Sequence, residues 1–108
     1  MNTTGFIRGY MAKNQEGEKY LHHVMKVMER QLQEWDETYE VKMIKKESYA
    51  ISVQNSEQTS IILISNSQLA QLQSKSPYAL DKYMWTKLKE NGLVIKERTG
   101  NYLNYVFM

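Results

Sequence analysis

Between Glu16 and Trp35, the residues Tyr20, Leu21, Val24, Met25, Val27, Met28, Leu32 and Trp35 recur at helical spacing. At about 100° per residue they share one arc of a helical wheel, with Gln31 the only intruder. Lys19, His22, His23, Lys26, Glu29, Arg30, Gln33 and Glu34 fill the opposite arc. A stripe this apolar has to be covered, so the spacing predicts a long amphipathic helix lying on a core supplied by the rest of the chain.

The partner for that helix is found in the next thirty or so residues. Tyr39, Val41 and Met43 alternate with Glu40 and Lys42, and Tyr49, Ile51 and Val53 alternate with Ala50 and Ser52. Period two with β-branched and aromatic residues predicts two strands with one solvated face, and Lys45–Ser48 is short enough to join them as a hairpin. After the polar turn Asn55–Gln58 comes Ile61-Ile62-Leu63-Ile64, apolar on both faces, which suits a central strand covered on both sides.

Ser65-Asn66-Ser67 is a helix start, because short polar side chains accept the first free amide protons. A short helix through Leu69, Ala70 and Leu72 should stop near Ser76, since the residue before a proline leaves helical geometry. Pro77 then opens a second helix that runs to about Asn91, with Gly92 as its stop. Leu93–Arg98 and Tyr102–Phe107 flank Thr99-Gly100 and read as a second hairpin. The expected architecture is therefore α+β: a mainly antiparallel sheet of about five strands in the order α-β-β-β-α-α-β-β. The long N-terminal amphipathic helix and the helix near residues 77–91 pack on that sheet. Residues 1–15 read as an N-terminal arm and residues 16–108 as a single α+β domain.

Composition narrows the function classes. The chain has 108 residues and no cysteine, which removes disulfides, thiolate nucleophiles and cysteine-based metal sites. No stretch approaches the ~20 apolar residues of a membrane span, and the first ten residues lack the pattern of a signal peptide. A cytoplasmic protein without a membrane role is the expectation, and its size and Lys, Asn, Gln and Ile usage suit a bacterial or phage chain. Fourteen basic and twelve acidic residues leave a formal charge of +2, so clustering matters more than the total.

No familiar catalytic constellation is present. His22 and His23 point about 100° apart on a helix, and although Glu18 and Glu29 lie on the same side as His22, no third histidine exists to close a site. Every acid reads as lying in a mixed-charge neighbourhood (Glu29 by Arg30, Glu47 by Lys46, Asp81 by Lys82, Glu97 between Lys96 and Arg98), which solvated surface pairs explain. The glycines form neither a phosphate loop nor a dinucleotide fingerprint. No enzyme activity, metal or cofactor is expected.

Two binding readings follow. On the 77–91 wheel, Tyr78 and Trp85 lie together on one flank, separated by Asp81 from the arc of Leu80, Tyr83, Met84 and Leu88. Aromatic pairs at the edge of an apolar arc are enriched at interfaces. Tyr78, Trp85, Tyr102 and Tyr105 are accordingly interface candidates for a non-enzymatic interaction or regulatory protein that binds a protein partner or a second copy of itself. In the alternative reading, Ser67–Leu72, Ala79-Leu80, Tyr83 and Leu88–Ile95 together resemble a winged helix-turn-helix. That resemblance implies a wing over Glu97–Tyr102, with Ser76, Tyr78, Ala79 and Lys82 toward the DNA major groove and Lys96, Arg98 and Asn101 near phosphates. Ser74 and Lys75 depart from the glycine and apolar residue usual in that family's turn, and residues 77–91 carry only three lysines against two acids.

Overall fold

The computed structural model describes residues 5–96 and 100–107, with residues 5 and 6 as backbone only. Helices α1 (Gly5–Asn14) and α2 (Gly17–Trp35) come first, followed by strands β1 (Glu40–Lys45), β2 (Tyr49–Gln54) and β3 (Thr59–Ile64). Three helices complete the chain: α3 (Asn66–Lys75), α4 (Ala79–Glu90) and α5 (Tyr102–Val106). The strands form one antiparallel sheet in the order β1-β2-β3, with Met43 opposite Ile51 and Ile51 opposite Ile62.

The stripe on α2 meets that sheet as its spacing predicts. Tyr20, Leu21, Val24, Met25, Val27, Met28 and Leu32 are buried, and they share one core with Tyr49, Ile51 and Val53 of β2 and Ile62 and Ile64 of β3. Leu80, Met84, Trp85 and Leu88 of α4 close the same core. Local chemistry places the boundaries. Asn55 Oδ1 accepts the amides of Glu57 and Gln58, which turns β2 back into β3. Ser65 and Gln68 form a reciprocal capping box at the start of α3. Gly92, at φ 102°, ends α4, with the amide of Leu93 bonded to the carbonyl of Leu88 and that of Gly92 to Lys89. This left-handed stop favours glycine.

The structure corrects the sequence expectation in four places. Among the described residues the sheet has three strands, not about five, and the elements run α-α-β-β-β-α-α-α. The segment expected as the last strand is helix α5, because Tyr102, Leu103 and Val106 are buried at helical spacing, whereas period two would have turned Leu103 outward. Leu93–Lys96 keeps alternating burial but joins no sheet among the described residues; the remainder of that expected strand and half of the wing, residues 97–99, lie outside them. Pro77 also sits before α4 rather than in its first turn, in a turn that brings the Ala79 amide to the Ser76 carbonyl.

The fourth correction concerns β3, which is an edge strand and not a central one. Ile62 and Ile64 face the core, while Ile61 and Leu63 are 52% and 65% exposed, because the helices cover only one face of the sheet. Both edges are engaged by side chains from that helical layer. Glu29 of α2 accepts the outward amide of Val41 at 2.8 Å, and the Tyr83 hydroxyl of α4 donates to the outward carbonyl of Leu63 at 3.0 Å. Blocking outward backbone groups in this way limits pairing with other strands.

The one-sided cover of the sheet predicts different outcomes for two neighbouring isoleucines. Ile62→Ala should cost about 2–4 kcal/mol of unfolding free energy, whereas Ile61→Ala should stay within about 0.5 kcal/mol. Urea titration of both variants checks this, and equal losses would restore the central-strand reading.

Candidate functional site

The N-terminal segment read as an arm contains α1, and one of its residues reaches the middle of the molecule. Arg8 is 1% exposed and its Nη1 is paired with Oδ1 of Asp81, which is fully buried on α4. The other Asp81 oxygen accepts the hydroxyl of Tyr102 from α5, and the Tyr102 oxygen in turn accepts the indole N–H of Trp85 at 3.1 Å. The rings of Tyr20 and Tyr78 flank the guanidinium, with centroids 6.0 and 5.0 Å from its carbon, and the Tyr20 hydroxyl donates to the Pro77 carbonyl at 2.8 Å. The network thereby ties α1, α2, α4 and α5 together. Gln73 of α3 adds a further tie to α1, donating to the carbonyls of Ala12 and Gln15 at 2.9 and 2.8 Å.

Burial dominates the electrostatics of this cluster. It pushes the Asp81 carboxyl up from the usual carboxylate range, against the pull of the Arg8 charge and the Tyr102 hydroxyl. Burial disfavours the charge on Arg8, but Asp81 more than compensates and the guanidinium is held above its ordinary value. The Tyr78 phenol is pushed up to about 12 by burial, and Tyr102 rises well above its ordinary value through burial and the neighbouring Asp81. These phenols stay protonated at neutral pH. Among the described residues, Arg8 Nε, Arg8 Nη2 and Tyr78 Oη meet no hydrogen-bond partner.

Above the network lies a groove of about 530 Å³ between the end of α3, one side of α4 and α5. Its apolar walls include Leu72, Pro77, Tyr78, Tyr83, Tyr105 and Val106. The rings of Tyr78 and Tyr105 stack at 5.8 Å with an interplanar angle of 22°, and Tyr105 is 37% exposed. Lys75, Lys82 and Lys87 stand on the rim with Glu90. A concave apolar floor with a few polar groups at its margin can accept a non-polar group and orient the charges beside it.

The four interface candidates thus gather in one aromatic cluster but divide by depth. Trp85 and Tyr102 are inside the core, whereas Tyr78 is half-buried and Tyr105 reaches the surface. Of the residues implied by the winged helix-turn-helix resemblance, Ser76, Tyr78, Ala79 and Lys82 line the groove. Lys96 and Asn101 are exposed, and Arg98 lies outside the described residues. Glu18, His22 and Glu29 do not converge: Glu18 pairs with Lys45 at 3.1 Å, Glu29 holds the Val41 amide and His22 faces solvent. No group of three His, Cys, Asp or Glu side chains that could hold a metal ion is found among the described residues.

Sequence reasoning missed Arg8 altogether and misassigned Asp81, which pairs with Arg8 in the interior rather than with Lys82 in solvent. A signal for Asp81 was present, since it lies on the helical wheel between two sets of apolar and aromatic residues. Nothing comparable marked Arg8. No family model, curated protein or solved structure matches the chain.

Removing one member of a buried pair strands the other's charge. Asp81→Ala should therefore lower the unfolding free energy by about 3–5 kcal/mol, and the double variant Arg8→Met/Asp81→Leu should recover most of that loss. Equal stability of Asp81→Ala and the parent in urea would overturn the assignment.

His23 gives a pH signature. Burial, with Arg8 and Lys26 adding to it, lowers its pKa from the ordinary 6.5. The folded state thus binds fewer protons than the unfolded one over the window from 6.5 down to the lowered value. Stability should be full above pH 6.5 and fall as pH drops through that window. His23→Ala should flatten this part of the profile of urea midpoint against pH; an unchanged slope would contradict it.

Proposed function

We propose that this chain is a small interaction protein without catalytic chemistry, which binds a protein partner through the groove between α3, α4 and α5. The observation that carries the reading is the stacked Tyr78–Tyr105 pair. It offers a rigid aromatic surface in a concave site, and tyrosines in such positions are favoured as binding anchors. The hydrogen bonds from Tyr102 to Asp81 and from Trp85 to Tyr102 hold α5 against α4, so the groove is organised before anything enters it. The absence of cysteine suits a role in the cytoplasm, and among the described residues no helix is long and apolar enough to cross a membrane.

A second reading, nucleic-acid binding by the same face, draws support from Ser76, Tyr78, Ala79 and Lys82 sharing one groove with Lys75 and Lys87. It predicts retention of duplex DNA at low salt and steep loss as salt rises. The interaction reading is favoured because the groove is walled mainly by apolar and aromatic groups.

Selection of a random twelve-residue peptide library on the folded protein tests the proposal. Enriched peptides should compete with one another and should lose at least tenfold in affinity on Tyr105→Ala, while Ile61→Ser on the far side of the sheet leaves binding unchanged. Peptides indifferent to Tyr105, or no enrichment, would overturn the proposal.

A further inference from the structure

Resting on that groove as a protein-binding site, we infer that its partner presents an acidic segment in which one or two large apolar side chains are flanked by aspartate or glutamate. The charges on the rim are not equivalent. Lys87 is already engaged, with Nζ 3.5 Å from Glu90 and 5.6 Å from the centre of the Tyr83 ring. Lys75 and Lys82 are exposed, and among the described residues neither meets an acidic partner.

The backbone makes this imbalance larger. Lys82 lies about one turn into α4, near the positive end of the helix, where a cation is disfavoured and an anion favoured. Asp81, the acid in that first turn, has both carboxylate oxygens turned inward to Arg8 and Tyr102. The mouth of the groove is therefore electropositive over an apolar floor of Tyr78, Tyr105 and Val106. An occupant that satisfies both parts carries carboxylates beside aromatic or aliphatic groups.

A nucleic acid would satisfy the rim alone. Its affinity grows with the number of phosphates neutralised, and two unpaired lysines supply few such contacts. A basic segment would be repelled by the rim, and a neutral apolar one would leave Lys75 and Lys82 uncompensated. The acidic amphipathic segment is the one class that uses both the floor and the charges.

Fluorescence anisotropy with labelled synthetic peptides of twelve residues tests this. The probes share leucine and tryptophan at fixed positions and carry glutamate, serine or lysine elsewhere; a fourth keeps the glutamates and has alanine at the apolar positions. A dodecamer of thymidine is added to the set. The glutamate–leucine–tryptophan peptide should bind at least tenfold more tightly than every other probe and weaken as salt rises. In Lys75→Glu/Lys82→Glu it should lose at least tenfold while the lysine peptide gains. Both positions are exposed, and an unchanged urea midpoint confirms that this variant is folded. Equal or tighter binding of the serine, lysine, alanine or thymidine probe, or indifference of the glutamate peptide to charge reversal, overturns the acidic assignment. If the serine or lysine peptide binds instead and depends on Tyr105, the groove reading stands and only the partner chemistry falls. If no peptide binds in a Tyr105-dependent way, both fall.

Discussion

A guanidinium and a carboxylate taken out of water each carry a desolvation cost of several kcal/mol, which only close pairing and further hydrogen bonds offset. Asp81 meets that requirement with Arg8 and the Tyr102 hydroxyl, whereas Arg8 has Asp81 and two flanking rings, its Nε and Nη2 meeting no hydrogen-bond partner among the described residues. Tyr102 supplies a hydroxyl to the carboxylate, Trp85 anchors the Tyr102 oxygen, and the Tyr20 and Tyr78 rings flank the guanidinium. Geometry at this point is strongly specified, because small displacements would leave a charge uncompensated. A three-stranded sheet with one helical face would tolerate several placements of its outer helices; the buried pair selects one for α1, α4 and α5 together.

The groove is a product of that selection. Tyr102 faces inward from α5 and Tyr105 faces outward, so fixing the first residue places the second. Tyr78 takes part in both, shielding Arg8 on one side and stacking on Tyr105 on the other. Core and surface are therefore built from one set of rings, and the lysines of α3 and α4 border a surface whose shape is set underneath it.

Much of the inner architecture was legible in the sequence. The α2 stripe, the β1–β2 hairpin, the Ser65 cap and the Gly92 stop all follow from local rules, and each occupies its expected place. The outer layer was not legible, for physical reasons that differ by element. Ile61–Ile64 has the composition of a strand covered on both faces, and only the placement of the helices on one side of the sheet leaves Ile61 and Leu63 exposed. Tyr102–Phe107 carries features of both periods, and a helix of five residues has no stability of its own, so packing against α4 decides its form. Arg8 and Asp81 are 73 positions apart, beyond the reach of any pattern of neighbours. For the site, the 77–91 wheel set Tyr78 and Trp85 on one flank but could not show that Trp85 faces the core while Tyr78 is half-buried.

The wall that α5 contributes also fixes when the groove comes into existence. On a ribosome, α4 emerges before α5, and a nascent chain that has reached Glu90 holds one side of the cleft and a buried acid awaiting the Tyr102 hydroxyl. Until α5 docks, Trp85 and Asp81 lie under an unfinished roof, and Tyr78 has no ring to stack on. The cleft thus exists only where α5 is docked on α4, and the same contacts that shape it time its appearance.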